Sequence, residues 1–314
     1  MTRIAAALLA CLALVPGAAL ASYPERPVKL IVPWGAGGDT DVIYRALLPY
    51  LQKHLGGTVI IANIGGASGT RGAKEARASP PDGYTIFAMH DSIHSTYYTG
   101  VADVNWTDFE PICLVSSTPS ILTAAPKAPW KDVKSLIADA KKRPGQITVA
   151  ATLGSTSHFF PALVEKAAGI TFKYVPYEGT ADRMNALLGS HVELGESNLT
   201  QKGKADAGSI RFLAIATDER DAEIPDVPTL KEEGVDVDYA VNRGMVAPKG
   251  TPAGVLEKLR SACGAAVNEP GFAEAMKKQG TLVHYLDAAG YAGFLRADDQ
   301  LNHDLAQDLG LLKR

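Results

Sequence analysis

Val28-Lys29-Leu30-Ile31-Val32-Pro33-Trp34-Gly35-Ala36-Gly37-Gly38-Asp39-Thr40-Asp41 is the stretch on which the fold turns. Residues 28–32 read as a buried strand and the glycines as a turn. Residues 40–55 read as a helix with Val42, Ala46 and Leu47 on one face. Pro49 falls inside the helical pattern and is expected to kink or cut it. The same alternation continues. Strands are predicted at 58–62, 84–89, 112–115, 121–124, 147–151, 172–175, 192–194 and 210–215. Helices are predicted from the cap Asp132 to 142, at 155–168, from the cap Thr180 to 188, at 255–267 and at 291–309. Strands alternating with helices define an α/β fold with mostly parallel sheets.

The glycines are not spread evenly. Residues 35–72 hold nine of the 30, in two dominant turns. One is 34–41. The other is Gly65-Gly66-Ala67-Ser68-Gly69-Thr70-Arg71-Gly72. Each lies between a strand and a helix. Glycine there frees backbone N–H groups and admits a ligand closely, and a helix N-terminus adds partial positive charge. Together they form an anion site without Lys or Arg, although two tight turns without a ligand would look the same. Neither reads G-x-G-x-x-G, and no P-loop motif occurs. A third turn, Ala151-Thr152-Leu153-Gly154-Ser155-Thr156-Ser157-His158, repeats the arrangement with hydroxyls that either cap a helix or donate to a carboxylate.

The remaining composition narrows the class. The chain has 314 residues, which suggests about two domains. Lys and Arg number 31 against 34 acidic residues, a net charge of −3, so the basic excess of a nucleic-acid binder is missing. Arg3, the apolar run 4–15, the break at Pro16-Gly17 and Ala19-Leu20-Ala21 form a secretory signal peptide over 1–21, with maturation at Ser22 and export to the periplasm. The apolar run is too short to span a membrane. Cys113 and Cys263 lie 150 residues apart. They could pair if the fold brings their Cα atoms within about 7 Å, which the sequence does not show, and two buried free thiols are the favoured reading.

Enzyme motifs are weak. His90-Asp91-Ser92 holds triad residue types in adjacent positions, which cannot form the relay. His90 and His94 lack a third metal ligand, and Ser92, Ser95 and Thr96 disfavour a helix there, so no metal is expected.

Read in order, the motifs resemble the solute-binding proteins of tripartite tricarboxylate transporters, the Bug or TctC family. The match starts with Tyr23-Pro24-Glu25-Arg26-Pro27 and the turn 34–41. It continues through Asn63, Gly65-Gly66-Ala67-Ser68-Gly69 and Pro81-Asp82-Gly83-Tyr84-Thr85. Later come Gly154-Ser155-Thr156-Ser157-His158, Val175-Pro176-Tyr177-Glu178-Gly179, Pro225-Asp226-Val227-Pro228-Thr229 and Ala247-Pro248-Lys249-Gly250-Thr251-Pro252. Trp34 and Ala36 replace the family's usual phenylalanine and proline, and Ala62, Ile64 and Gly65 depart from its second loop. These changes sit beside the expected pocket and bear on ligand identity.

The resemblance implies a two-domain periplasmic binding protein of type II, a Venus flytrap with two crossover strands near 117–123 and 241–246. Domain 1 would comprise 22–122 with 242–314, and domain 2 would comprise 123–241. It implies a non-catalytic, cofactor-free, monomeric receptor that captures a small carboxylate (a di- or tricarboxylate, an aromatic acid or an acidic amino acid) for membrane subunits of the transporter. An exported hydrolase and a ligand-sensing domain for a signalling partner are the alternative readings. One ligand carboxylate is expected at Trp34, Gly35, Ala36, Gly37, Gly38 and Asp39, with Ser68, His90, Asp91 and Ser92 on the same wall. Thr152, Ser155, Thr156 and Ser157 would approach from domain 2, with Tyr177 and Asn198 nearby. Trp34 is open between stacking on an aromatic ligand and walling the pocket. Arg243 and Arg71 are open between pairing with a carboxylate and lying on the surface. Asp41 is read as a helix N-terminal residue. Asp39, if it faces the cleft, points to a ligand with an amine.

Overall fold

The structure is a computed structural model that describes residues 23–314, so the signal peptide and Cys11 lie outside the described residues. The first half runs β1 (Val28–Val32), α1 (Asp39–Leu55), β2 (Val59–Asn63), α2 (Thr70–Ala78), β3 (Thr85–His90), α3 (Ser92–Tyr98), β4 (Phe109–Pro119), β5 (Ile121–Ala124), α4 (Val133–Lys142), β6 (Thr148–Ala151) and α5 (Thr156–Ala168). The second half runs β7 (Lys173–Pro176), α6 (Gly179–Leu188), β8 (Leu194–Ser197), α7 (Lys202–Asp206), β9 (Arg211–Ile215), β10 (Ala240–Pro248), α8 (Ala253–Val267), α9 (Pro270–Lys278), β11 (Leu282–Leu286) and α10 (Ala288–Asp308). Among the described residues no helix is long and apolar enough to cross a membrane.

Two sheets result, one in each lobe. The first has the order β11-β4-β10-β3-β1-β2 and the second β7-β6-β8-β5-β9. Both are mixed, where mostly parallel sheets are expected from the sequence. The parallel pairs are β1 with β2 and β3, and β6 with β7 and β8. The antiparallel pairs involve β4, β5 and β10, the strands beside the points where the chain passes between sheets. That passage occurs between Pro119 and Ile121, and the chain returns before Ala240.

Each sheet is covered on both faces. Successive side chains on a strand point to opposite sides. In β1, Leu30 and Val32 therefore join Ile43, Leu47 and Leu51 of α1, while Ile31 joins Phe87, Phe109 and Tyr291 on the other face. The second lobe is built around Trp130, Leu136, Val149, Phe160 and Leu213.

Several local expectations need correction. Helix α1 runs unbroken through Pro49, because burial of Leu47, Leu51 and Leu55 outweighs one lost hydrogen bond. Helix α3 does form across its hydroxyl residues. Ser95, Thr96 and Thr99 turn their hydroxyls back onto carbonyls of the same helix, at 2.7 Å for Thr96 to Ser92 and Thr99 to Ser95. Thr180 does not cap α6. Glu178 holds the cap position and Thr180 points elsewhere.

The two cysteines are joined rather than free. α8 packs on β4, which brings Cys113 and Cys263 to a Cα separation of 6.5 Å in a fully buried disulfide. Replacing both with alanine is expected to lower the unfolding free energy by about 2–4 kcal/mol. Chemical denaturation with and without reductant checks this. The parent should lose a similar amount in reductant, and the double variant should not respond to it.

Candidate functional site

The first glycine turn is shaped by its own acid. Gly37 takes a φ of +77°, which favours glycine, and its N–H donates to Asp41 Oδ2 at 2.9 Å. The same carboxylate accepts from Arg45 Nε at 2.8 Å and Asn63 Nδ2 at 2.9 Å. Burial pushes the Asp41 pKa up, but these donors outweigh it and hold it below the usual carboxylate range. Gly38 N–H donates to Gly35 O at 3.3 Å. The turn therefore spends much of its own donor set internally. What it presents outward is the start of α1.

That start opens on a small cavity between the lobes. Its walls bring together three helix beginnings: Gly38, Asp39 and Thr40 of α1, Ser155, Thr156 and Ser157 of α5, and Gly179 and Thr180 of α6. None of the three helices has a side-chain cap. First-turn N–H groups lack intrahelical acceptors, and the three dipole ends add partial positive charge at one place. Trp34, His90 and Arg243 complete the wall from the first lobe.

Two arginines line this space. Arg243 is 3 % exposed and lies opposite His90 in the β10–β3 register. Its Nε donates to Thr40 Oγ1 at 3.0 Å and its Nη1 to Thr118 Oγ1 at 2.9 Å. The surface alternative is thus excluded for Arg243, whereas Arg71 is exposed. Arg183 is buried on α6. It donates to Glu196 Oε2 at 2.7 Å and to Thr152 Oγ1 at 3.1 Å, while its Nε is buried with no acceptor among the described residues. Trp34 Nε1 is in the same condition. Buried donors left without acceptors are costly, so this cavity suits a ligand rich in acceptors.

His90 stays neutral. Burial first, then the charges of Arg243 and Arg183, push its pKa well below the ordinary value. Its Nδ1 accepts from Ser92 N–H at 3.1 Å, so the ring proton sits on Nε2 and makes it a donor. Its ring meets Trp34 edge-on at 5.3 Å between centroids. Burial raises the Glu196 pKa, and Arg183 works against that.

Of the residues expected at the site, Trp34, Gly38, Asp39, His90, Ser155, Thr156, Ser157 and Arg243 come together on the cavity wall. The others do not line it. Gly35, Ala36 and Gly37 shape the turn behind it. Ser68 and Ser92 line a smaller neighbouring cavity of about 210 Å³ that His90 also touches. Asp91 turns away and accepts from Asn242 N at 2.7 Å, with Asp298 nearby. Thr152 braces Arg183 and accepts from Gly179 N–H at 3.1 Å. Tyr177 packs against the second-lobe core and offers Thr152 its carbonyl. Asn198 reaches Asp39 instead of the open space. Sequence reasoning missed Thr40, Gly179, Thr180, Arg183, Glu196 and Val241. Glu196 lies beyond the strand predicted at 192–194, in β8, where it is a buried charge.

The lobes touch beside the cavity. Ala67 and Ser68 both take left-handed backbone angles, φ +51° and +59°. Such angles cost non-glycine residues roughly 1–2 kcal/mol each. They aim Ser68 Oγ at Leu153 O, 2.8 Å away on the second lobe.

The family model described as the tripartite tricarboxylate transporter family receptor, TctC, matches residues 43–311. This chain belongs to that family. It is similar to the periplasmic binding protein BugD, with 33 % identity and a TM-score of 0.88 over 93 % of this chain and 100 % of that one. It is also similar to MatC from Rhodopseudomonas palustris with bound malate, with 27 % identity and a TM-score of 0.84 over 90 % and 99 %. An R. palustris protein with adipate matches at 29 % identity with a TM-score of 0.86 over 92 % and 98 %. The TctC chain thus has the two-domain α/β fold of periplasmic binding proteins, and its family is one of solute receptors rather than enzymes.

Breaking the buried ion pair is expected to be severe. Arg183→Met leaves Glu196 without its partner and should cost about 3–5 kcal/mol of unfolding free energy. Urea denaturation measures it, and a loss below about 1 kcal/mol would show that the pair is not sealed from water.

Proposed function

We propose that this chain is the periplasmic receptor that captures a small carboxylate and delivers it to the membrane subunits of a tripartite transporter. The observation that carries the reading is the meeting of three uncapped helix starts with Arg183 and Arg243 on one inter-lobe cavity. A carboxylate supplies the acceptors those groups need. Arg243 Nη2 has no acceptor among the described residues, while Nε and Nη1 are held by Thr40 and Thr118. The guanidinium is therefore oriented before the ligand arrives, which reduces the ordering cost of binding. Neutral His90 adds a donor without adding charge. The space enclosed between these walls is small, which favours a small acid over a bulky one. The solved relatives with malate and adipate support the same ligand chemistry.

Binding at the interface between lobes explains how such a receptor signals occupancy. A ligand that touches both walls stabilises the closed arrangement by its differential affinity, and the membrane subunits would read that shape.

Isothermal titration with a panel of mono- and dicarboxylates tests the proposal. At least one small carboxylate should bind and be recovered unchanged. Arg243→Met should weaken that ligand about 10- to 100-fold, the range of a charged hydrogen bond. A parent protein that binds no carboxylate, or a variant that binds as well as the parent, would overturn the assignment.

A further inference from the structure

Asp39 sits at the first position of α1, 5 % exposed, on the wall of the cavity. Its side chain does not wait for a ligand. Oδ2 accepts from Asn198 Nδ2 at 2.7 Å and Thr180 Oγ1 at 3.1 Å, and Oδ1 accepts from Thr200 Oγ1 at 2.8 Å and Gln201 Nε2 at 3.5 Å. All four donors belong to the opposite lobe. A carboxylate has about four lone-pair sites, and here all are used.

These donors are held in place by their own neighbours. Thr200 N–H donates to Asn198 Oδ1 at 2.9 Å, which turns the Asn198 amide nitrogen toward Asp39. Arg183 Nη2 donates to Thr180 Oγ1 at 3.3 Å, which leaves the Thr180 proton directed at Asp39. The single Thr200 proton also has Asn198 Oδ1 at 2.6 Å, and the charge on Asp39 favours the carboxylate. The second lobe therefore presents a preformed nest for one carboxylate, and a carboxylate of the first lobe fills it.

Taking the carboxylate-receptor reading as given, we infer that Asp39 is a built-in acid that latches the two lobes and restricts the ligand to a single carboxylate. A dicarboxylate needs donors for its second acid group. The four-donor nest of the second lobe is already filled, and a second acid placed beside it meets the negative charge of Asp39. Saturation of Asp39 also rules out a ligand ammonium as its partner, so the amine suggested by an acid facing the cleft is not required. The ligand class is a small monocarboxylate whose remaining end is neutral.

The test compares butyrate with succinate by isothermal titration, in the parent and in Asp39→Ser. The parent should prefer butyrate at least tenfold. Asp39→Ser frees the nest and should move the preference toward succinate by at least tenfold. A parent that binds succinate as tightly as butyrate, or a ratio unchanged in the variant, would overturn the inference and leave the receptor assignment standing. Binding of neither acid by the parent overturns the inference, and the wider carboxylate panel then decides the receptor assignment. Tighter binding of 4-aminobutyrate than of butyrate would seat an ammonium against Asp39 and likewise overturn it. Small-angle scattering without ligand supplies a readout independent of affinity. The radius of gyration of Asp39→Ser should exceed that of the parent, and equal values would refute the latch.

Discussion

The insertion of β10 between β3 and β4 is the constraint on which the site depends. This strand arrives from the far side of the second lobe and runs antiparallel to both neighbours. It completes the first sheet with residues more than a hundred positions distant from the strands it joins. It also sets Arg243 beside His90 and under the start of α1. Without that register the guanidinium would have neither Thr40 nor Thr118 to hold it, and the first lobe would carry no cation at the cavity. The fold and the binding chemistry are thus set by one pairing.

Electrostatics in the cavity is local. The chain is net acidic, so long-range attraction does not draw in an anion. Favourable potential comes instead from helix ends and two buried guanidinium groups placed around a small volume away from bulk solvent, where charges act strongly. Glu196 and Asp39 offset the arginines there, which leaves a balanced site rather than a strongly positive one. Such balance limits the total negative charge the cavity accepts. Discrimination by charge number follows from the same arrangement that provides affinity.

Much of the fold was legible in the sequence. The strand, glycine turn and helix at 28–55 stood out because apolar spacing and glycine agree there, and the hydroxyl-rich start of α5 stood out for similar reasons. The second strand crossing was legible only through family resemblance, since β10 has no periodicity that announces a partner. Helix α3 was hidden because its serines and threonines bond back to the helix, which residue preference alone does not register. The role of the first turn was half legible. Its glycines were recognised as a donor-rich surface, but Asp41 satisfies Gly37 from four residues away, so the ligand-facing donors lie one step further along. Arg183 was missed because it sits in an ordinary amphipathic helix. Its importance comes from Glu196, which only the packing of α6 on β8 brings near.

The Cys113–Cys263 bond closes a covalent loop that contains the whole second lobe. The chain leaves the first lobe a few residues after Cys113 and returns through β10, the strand before the helix that carries Cys263. The covalent link therefore fastens the exit and re-entry segments to each other independently of what the intervening residues do. Local unfolding of the second lobe leaves β4 and α8 joined. The lobe that carries Arg243 is thus stapled on its own side of the crossing, next to β4, the strand on which β10 is registered.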